Sequence, residues 1–282
     1  CATIPENMPT PISEAFITRG IAPMQGIHET LNAIRDASHW HAAHTRLLAA
    51  PPEPMIATKT ARASRTLTEA EGKTHLAAAG FPVPAGRVVD GDNLLGAAEE
   101  VGYPVALKMM GPELAHKTEA GAVTLGIATG EALTEAARAM RVAVARYSQT
   151  AVTDWFLLEP MASRPLAELM VGIRRDPQFG FSMTLGSGGV LVELVGDTST
   201  LLLPATDADI AQAFARLRVS KLLGGFRGGP QADMTRVTAA LAGLARYAIA
   251  RADHLIELEI NPLFVYKNGV LAADVLMQLE ER

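Results

Sequence analysis

The chain has 282 residues, of which 49% are hydrophobic and 20% are charged; this is the composition of a globular protein and excludes disorder throughout. The formal net charge of −5 argues against a nucleic acid or an anionic membrane as the main partner. No apolar run reaches the roughly 18 residues that cross a bilayer, and the single cysteine, Cys1, cannot form an internal disulfide, which favours a reducing, cytoplasmic location.

The first 48 residues predict the end of an α/β domain. The pattern indicates a helix from Ser13 to Arg19, a short apolar strand at Ile21–Met24 and an amphipathic helix at His28–His44. Because one strand–helix unit cannot close a parallel sheet, we expect segment 1–48 to be the tail of a domain whose body lies outside this chain. The proline-rich stretch 49–66 predicts a linker.

Residues 67–156 predict alternating helices and strands. Thr68, followed three residues later by Glu71, forms a capping box that marks the start of a helix. The predicted elements are a helix from Thr68 that ends before Gly80, strands at Arg87–Asp90, Pro104–Met110 and Val123–Ile127, and helices at Asn93–Val101 and Glu131–Gln149.

Residues 157–282 continue this mixture and add hairpins. Strands are predicted from Trp155 to Met161 and at Glu168–Arg174, Phe181–Leu185, Val190–Val195, Leu255–Ile260, Leu263–Tyr266 and Val270–Val275, with helices at Asp207–Leu217 and Met234–Arg251. Asn268–Gly269 predicts the turn between the last two strands. This order of strands, helices and hairpins predicts an α+β fold.

Lys108 lies in the apolar run Pro104–Met110. An ammonium group in a buried strand is costly unless it is paired, and a phosphate is a natural partner for it. A lysine whose charged end reaches solvent at the end of the strand is the alternative.

The polar loop after this strand, Gly111–Gly121, carries His116, Lys117 and Thr118 between glycines. Backbone N–H groups, a hydroxyl and an ammonium in such a loop can wrap phosphates. His116 could act as a general base or carry a phosphoryl group. The alternative is a solvated surface loop.

Gly188 and Gly189 belong to the glycine-rich stretch 186–189 between two apolar strands. Glycines there permit the close approach of a ligand, but an ordinary hairpin also needs them.

Acidic and amide side chains cluster near the end of the chain. Glu257, Glu259 and Asn261 share one strand face by the period of two, and the following hairpin can bring Asp274 close to Asn261. Carboxylate and amide oxygens suit Mg²⁺. An exposed acidic sheet face is the alternative.

Six motifs in order resemble the β part of ADP-forming acyl-CoA synthetases, a family related to succinyl-CoA synthetase. They are LTEAEGKTHLAAAGFPVP (67–84), GYPVALKMMGPELAHKTEAGAV (102–123), VGIRRDPQFG (171–180), LGSGGVLVEL (185–194), LLGGFRGGPQAD (222–233) and ELEINPL (257–263). The resemblance implies a two-lobed ATP-grasp fold, with lobes at 67–156 and 157–282, preceded by the tail of a flavodoxin-like CoA-ligase domain.

The resemblance also implies an activity. The reaction is acid + CoA + ATP giving acyl-CoA + ADP + phosphate, with ATP/ADP and Mg²⁺ bound here. A separate α part would bind CoA and a small carboxylic acid and would carry a phosphohistidine between the two sites, so this chain alone is expected to be incomplete and to work in an oligomer. Neither a nucleic acid nor a membrane is expected as a partner.

The residues and the resemblance together give the candidate site. Lys108 matches a lysine that contacts nucleotide phosphates, the backbone of 159–161 meets the adenine, and Glu168 lies near the ribose. The resemblance implies that His116 is the catalytic residue that accepts the phosphoryl group. The nucleotide-binding candidates are Lys108, Lys117, Glu159, Pro160, Met161, Glu168, Gly188, Gly189, Arg175 and Arg227, and the candidate metal ligands are Asn261 and Asp274, with Glu259 beside them.

The chain departs from the family pattern at two positions near the candidate site, and two other functions stay open. Gly121-Ala122-Val123 replaces a common Gly-Gly-Val, and Glu259 replaces a common Asp. A different ATP-grasp carboxylate–amine ligase would use Lys108 and the metal ligands without His116. A regulatory half that binds nucleotide without catalysis is the other alternative.

Overall fold

The computed structural model describes residues 3–4, 7–49, 51, 53–56, 63–111, 114, 117–189 and 196–281. Contacts divide the chain into two compact units, Cys1–Glu53 and Pro54–Arg282. None of the helices in the described ranges is both long and apolar enough to cross a bilayer.

The first unit consists of two helices, α1 (Thr10–Thr18) and α2 (Ile27–Ala49), and neither contains a buried residue. Helix α1 begins after Pro9 rather than at Ser13, and Pro11 lies in its first turn, where a proline is favourable. The prediction of a strand at Ile21–Met24 is wrong. In the described part of this unit there is no second strand to pair with it, and an isolated strand does not persist.

The second unit begins with β1 (Ser64–Thr66) and α3 (Glu69–Ala78). The predicted capping box is confirmed: the Thr68 hydroxyl accepts from the backbone N–H of Glu71, whose carboxylate accepts from the backbone N–H of Thr68. This cap fixes the start of α3, the helix that carries two charged side chains of the site, Glu69 and Lys73.

A four-stranded antiparallel sheet forms the first lobe. Its spatial order is β2-β5-β3-β4, and two helices cover one face. The elements are β2 (Arg87–Asp90), α4 (Leu94–Val101), β3 (Val105–Met109), β4 (Val123–Ile127), α5 (Gly130–Tyr147) and β5 (Trp155–Pro160).

Strand alternation gives this sheet two different faces. Leu107 and Leu158 pack into the core beneath α4 and α5. The residues next to them in sequence, Lys108 and Glu159, therefore point to the opposite face, which meets α3. Both side chains are nevertheless almost fully buried.

A seven-stranded sheet forms the second lobe, in the spatial order β1-β11-β9-β6-β7-β8 with β10 also paired to β9. Its helices α6, α7 and α8 all contribute apolar side chains to its core. The elements are β6 (Ala167–Asp176), β7 (Gly180–Ser187), β8 (Thr198–Leu203), α6 (Asp207–Ala215), α7 (Arg218–Leu223), α8 (Met234–Ile249), β9 (Leu255–Tyr266), β10 (Gly269–Ala272) and β11 (Val275–Glu280).

The last strands differ from the sequence prediction. Two predicted strands join into β9 across Pro262, because the pairing with β6 is irregular at this point and a proline is tolerated at a bulge. The predicted single strand Val270–Val275 is divided at Ala273–Asp274 into β10 and β11. Strands β1 and β8 and helix α7 were not predicted, and Val190–Val195 lies outside the described residues.

Candidate functional site: a buried charged cluster between two pockets

An acidic pocket lies where β9 passes the break between β10 and β11. The backbone N–H of Asn261 donates to the carbonyl of Asp274 at 3.3 Å, which brings these two predicted residues together. Glu259 shares the β9 face of Asn261, as predicted, since Ile260 between them is buried on the other side. The pocket has a volume of about 210 Å³ and is lined by Lys117, Thr118, Glu119, Glu259, Asn261, Asp274 and Leu276.

The side chains that line the acidic pocket offer oxygen donors from three carboxylates, Glu119, Glu259 and Asp274, and from the amide of Asn261. Such hard oxygen ligands fit Mg²⁺ rather than a softer metal. In the ranges that the structure describes, no group of three or more His, Cys, Asp or Glu residues is placed to hold a metal ion. The chemistry of this donor set therefore favours a hard cation that also takes oxygens from a ligand or from water.

A buried charged cluster adjoins the pocket and contains three lysines and three carboxylates: Glu69, Lys73, Lys108, Lys117, Glu159 and Asp274. Lys108 is 6% exposed. Its Nζ contacts Glu69 Oε1, lies 3.0 Å from Glu159 Oε2 and donates to the carbonyl of Ala273 at 2.8 Å. The alternative of a lysine that reaches solvent is therefore wrong.

Two members of the charged cluster were missed by the sequence analysis, Glu69 and Lys73 on α3. Lys73 Nζ lies 2.7 Å from Glu69 Oε1, contacts Glu159 and donates to the Ala273 carbonyl at 2.8 Å. The available signal was their spacing of four residues, which places a Glu and a Lys on one helix face. That spacing is also common on solvated helices, so it did not indicate burial.

Lys117 joins the charged cluster to the acidic pocket. Its Nζ lies 2.9 Å from Asp274 Oδ1 and 3.0 Å from Glu69 Oε2. Within the described residues, Glu69 Oε2 is a buried atom that accepts no hydrogen bond, so this ion pair is its main compensation.

The members of the charged cluster set one another's pKa. Burial alone would raise the pKa of Glu69, but three neighbouring ammonium groups, foremost that of Lys108, hold it far below its ordinary value. Burial alone would lower the pKa of Lys108, but the carboxylates of Glu69 and Glu159 raise it above its ordinary value. Burial and the nearby Glu69 raise the pKa of Asp274 despite its pairing with Lys117. Both Glu69 and Lys108 are therefore ionised at neutral pH.

A second pocket lies at the other end of the charged cluster, between α3 and the four-stranded sheet. It has a volume of about 320 Å³, and Lys73 and Glu159 form part of its wall. Most of the remaining wall is apolar and includes Val83, Pro84 and Leu157. The charged cluster thus connects an apolar pocket with the acidic pocket.

Glu168 and the glycine-rich stretch lie against each other. The backbone N–H of Gly188 donates to the Glu168 carbonyl at 2.7 Å. A methyl group at Gly188 would lie 2.6 Å from backbone atoms of Leu169, and one at Gly189, where φ is +81°, would lie 2.7 Å from Glu168 Oε2. Both positions therefore require glycine for this close approach.

The comparisons with known proteins agree with one another. Residues 58–279 match the family model of the ATP-grasp domain. The chain is 32% identical over 210 residues to the β subunit of acetate–CoA ligase [ADP-forming] II from Pyrococcus furiosus, which covers 74% of this chain and 89% of that subunit. The chain belongs to the ATP-grasp family of ADP-forming acyl-CoA synthetase β subunits.

Solved structures of an acetyl-CoA synthetase show the same fold. One is the dinucleotide forming acetyl-coenzyme A synthetase 1 of Ca. Korarchaeum cryptofilum in complex with coenzyme A, Ca-AMPCP and HgCl⁺, with a TM-score of 0.71, 30% identity and coverage of 76% of this chain and 93% of that one. A second holds coenzyme A and Mg-AMPPCP, with its phosphohistidine segment pointing towards the nucleotide binding site; its TM-score is 0.64 at 29% identity, with the same coverage. The predicted ATP-grasp fold is confirmed.

Two arginines that were candidates in this ATP-grasp chain lie apart from the charged cluster. The Arg175 guanidinium donates to the carbonyls of Leu255 and Ala252, both at 2.9 Å, and pairs with Glu280 at 2.8 Å. Arg227 has a left-handed backbone with φ of +52° and lies over the ring of Phe226. The described contacts of Arg175 hold the ends of β9 and β11 and involve none of the pocket residues.

The remaining candidate residues lie in different surroundings. The side chain of Glu159 lies in the charged cluster, although the resemblance assigned a role to its backbone. The backbone N–H of Met161, which follows Pro160, donates to the carbonyl of Pro104 at 2.9 Å. His116 lies outside the described residues.

Proposed function

We propose that this chain is the part of an ADP-forming acyl-CoA synthetase that binds ATP and transfers its phosphoryl group. The observation that carries the proposal is the line of buried lysines between the apolar pocket and the acidic pocket. A nucleotide has the same three parts in the same order: an apolar base, a polyanionic chain and a divalent cation held on that chain.

The apolar pocket takes the base in this proposal. Val83, Pro84 and Leu157 provide apolar contacts, and Glu159, the first residue of the segment 159–161 that the resemblance assigns to the base, forms part of the wall. Glu168, fixed against Gly188 and Gly189, provides a carboxylate for the ribose. The phosphates then extend past Lys108 and Lys117 toward the acidic pocket.

Asn261 and Asp274 would hold Mg²⁺, with Glu259 beside them. When bound, Mg²⁺ spreads the negative charge that develops during phosphoryl transfer.

Lys108 and Lys117 hold the phosphate chain in line. Both remain protonated because neighbouring carboxylates raise the pKa of each above its ordinary value, against the effect of burial. His116 accepts the phosphoryl group through a ring nitrogen as the bond to the leaving ADP oxygen breaks.

A second component completes the reaction. The phosphoryl group passes from His116 to a histidine of that component. This phosphohistidine transfers it to a small carboxylic acid to form an acyl phosphate, and coenzyme A then displaces the phosphate to give the acyl-CoA. The Pyrococcus relative is named as a β subunit, and the Korarchaeum structures hold coenzyme A, which supports an α domain or subunit as the partner here. The complete reaction is acid + CoA + ATP giving acyl-CoA + ADP + phosphate, in a cytoplasmic oligomer.

Thermal unfolding with and without Mg-ADP tests the nucleotide site. At about 100 times its Kd, the ligand is expected to add about 2.7 kcal/mol of stability, which corresponds to a few degrees in Tm for a domain of this size. Asp274→Asn keeps the shape of the side chain and removes its charge, so it should remove this shift. A wild-type protein that Mg-ADP fails to stabilise, even with the α part added, would contradict the proposal.

Phosphorylation by γ-labelled ATP separates this function from that of another ATP-grasp ligase. The label should be stable to base and labile to acid, and His116→Asn should abolish it. A carboxylate–amine ligase would bind Mg-ATP equally well and leave no label on the chain.

A further inference from the structure

Lys117 lies between two carboxylates whose side chains differ in their exposure to solvent. Glu69 Oε2 is 3.0 Å from Lys117 Nζ, and the Glu69 side chain is 2% exposed. Asp274 Oδ1 is 2.9 Å from the same Nζ, and the Asp274 side chain is 32% exposed. The outer partner therefore faces the acidic pocket, while the inner one is enclosed.

The contact with Asp274 places a positive charge at the metal end of the pocket. Asp274 and Asn261 are the oxygen donors that fit a divalent cation there. A divalent cation and an ammonium group on the same carboxylate repel each other, since like charges a few Å apart interact strongly where water is largely excluded. The cation can therefore bind well only after Lys117 has moved away from Asp274.

We propose that Lys117 is a positioning residue that occupies Asp274 until a divalent cation binds and then turns to the phosphates of the nucleotide. This inference rests on the proposed function, because it assigns the phosphates to the path beside Lys108. Glu69 keeps the ammonium group of Lys117 near that path during the exchange, since its position within the charged cluster is fixed by Lys73 and Lys108.

The exchange makes the binding of cation and nucleotide mutually favourable. A cation that binds alone displaces Lys117 from Asp274 without offering it a new acceptor. A nucleotide that binds alone draws Lys117 away and leaves the Asp274 carboxylate unpaired. When both bind, every charge has a partner, so each ligand raises the affinity for the other by the same factor.

Two binary titrations test the exchange without turnover. The first follows Mn²⁺ alone by the electron paramagnetic resonance of the free ion, and the second follows metal-free ADP in excess chelator by calorimetry. Lys117→Met should bind Mn²⁺ about tenfold more tightly than wild type, because it removes the ammonium group that competes for Asp274. It should bind metal-free ADP about tenfold more weakly, because it removes an ammonium group that attracts the phosphates. These opposite signs are not expected from a general loss of structure.

Two further variants control for charge and for folding. Lys117→Arg keeps a positive charge near Asp274 and should stay close to wild type in both titrations. Lys267→Met removes a lysine from the exposed turn between β9 and β10 and should change neither. Lys117→Met leaves Glu69 Oε1 paired with Lys73 and Lys108 but removes the ion pair of Oε2, so its circular dichroism is compared with that of wild type before the titrations.

The outcomes separate this inference from the proposed function. Unchanged or weaker Mn²⁺ binding by Lys117→Met overturns the exchange. If Lys117→Met shows that result while Mg-ADP stabilises the wild type and Asp274→Asn loses Mn²⁺ binding, the proposed function stands and the Lys117 inference alone is wrong. If neither wild type nor Lys117→Met binds Mn²⁺, the exchange is overturned, and the proposed function falls with it only if Mg-ADP also fails to stabilise the wild type with the α part added.

Discussion

The charged cluster has an inner end and an outer end that differ in their access to solvent. The side chains of Glu69, Lys73, Lys108 and Glu159 are at most 7% exposed, and each contacts more than one partner. At the outer end, Lys117 is 11% exposed and Asp274 32% exposed. Each end contains equal numbers of positive and negative groups, so both are neutral before any ligand arrives.

The difference in exposure predicts different roles for the ion pairs at the two ends, one in stability and one in ligand binding. Removing one member of a buried set leaves an uncompensated charge that water cannot reach, so the inner end is expected to determine stability. A pair that borders a pocket can exchange its partner for a ligand at little cost. We therefore expect substitutions at the inner end to affect unfolding first and substitutions at the outer end to affect ligand binding first.

The largest effect is expected from Glu69→Gln. This change leaves three ammonium groups with one fewer carboxylate and should lower the free energy of unfolding by about 3 kcal/mol or more. Urea unfolding at pH 7 measures it. Glu71→Gln, two residues further along α3, is the matched control, because glutamine also serves in a capping box and Glu71 lies at the surface. Equal losses for the two variants would contradict the comparison.

The loss from Glu69→Gln should also depend on pH. The ordinary pKa of a glutamate is 4.5, and that of Glu69 is far lower in the folded protein, where the attraction of Lys108 and its neighbours outweighs burial. A carboxyl whose pKa is lowered by folding contributes its full stabilisation above the unfolded value and loses it as the pH falls toward the folded one. The difference between wild type and variant should be constant from pH 7 to about pH 5 and shrink below about pH 4.5. A difference that grows in acid would show that Glu69 is not held ionised.

The inner end also shows where prediction from sequence stops. Lys108 was found because a lysine within an apolar strand is conspicuous. Its partners come from positions 69, 159 and 273, which only the three-dimensional fold brings together. The alternation of β5 fixes the face on which Glu159 lies, but it carries no information about what that face meets.

The outer end was predicted more completely. Period-two spacing placed Glu259 and Asn261 on one face, and the return of the chain after a tight turn brought Asp274 beside them. These inferences needed only local geometry and one hairpin. The separation of β10 from β11 at Asp274 was not predicted, because the break depends on how both strands pair along one long β9.

Arg175 provides a buried cation outside the charged cluster and sharpens the comparison. Arg175→Met removes the donors to the Leu255 and Ala252 carbonyls and should lower the free energy of unfolding by about 2 kcal/mol. The stabilisation by Mg-ADP should remain unchanged, since none of these contacts reaches a pocket residue. Calorimetric scans with and without Mg-ADP measure both quantities. A lost ligand shift would restore the phosphate role that the resemblance assigned to Arg175.

The smallest effect on stability is expected at the outer end, from Asp274→Asn without ligand. Burial and the nearby Glu69 raise the pKa of Asp274 above its ordinary value, so the fold disfavours the charge that this variant removes. Lys117 also retains Glu69 as a partner. The free energy of unfolding should therefore stay within about 1 kcal/mol of wild type, as measured in urea at pH 7. If Asp274→Asn instead costs as much as Glu69→Gln, the outer ion pair belongs to the rigid interior, and Lys117 could not give up Asp274 to a cation.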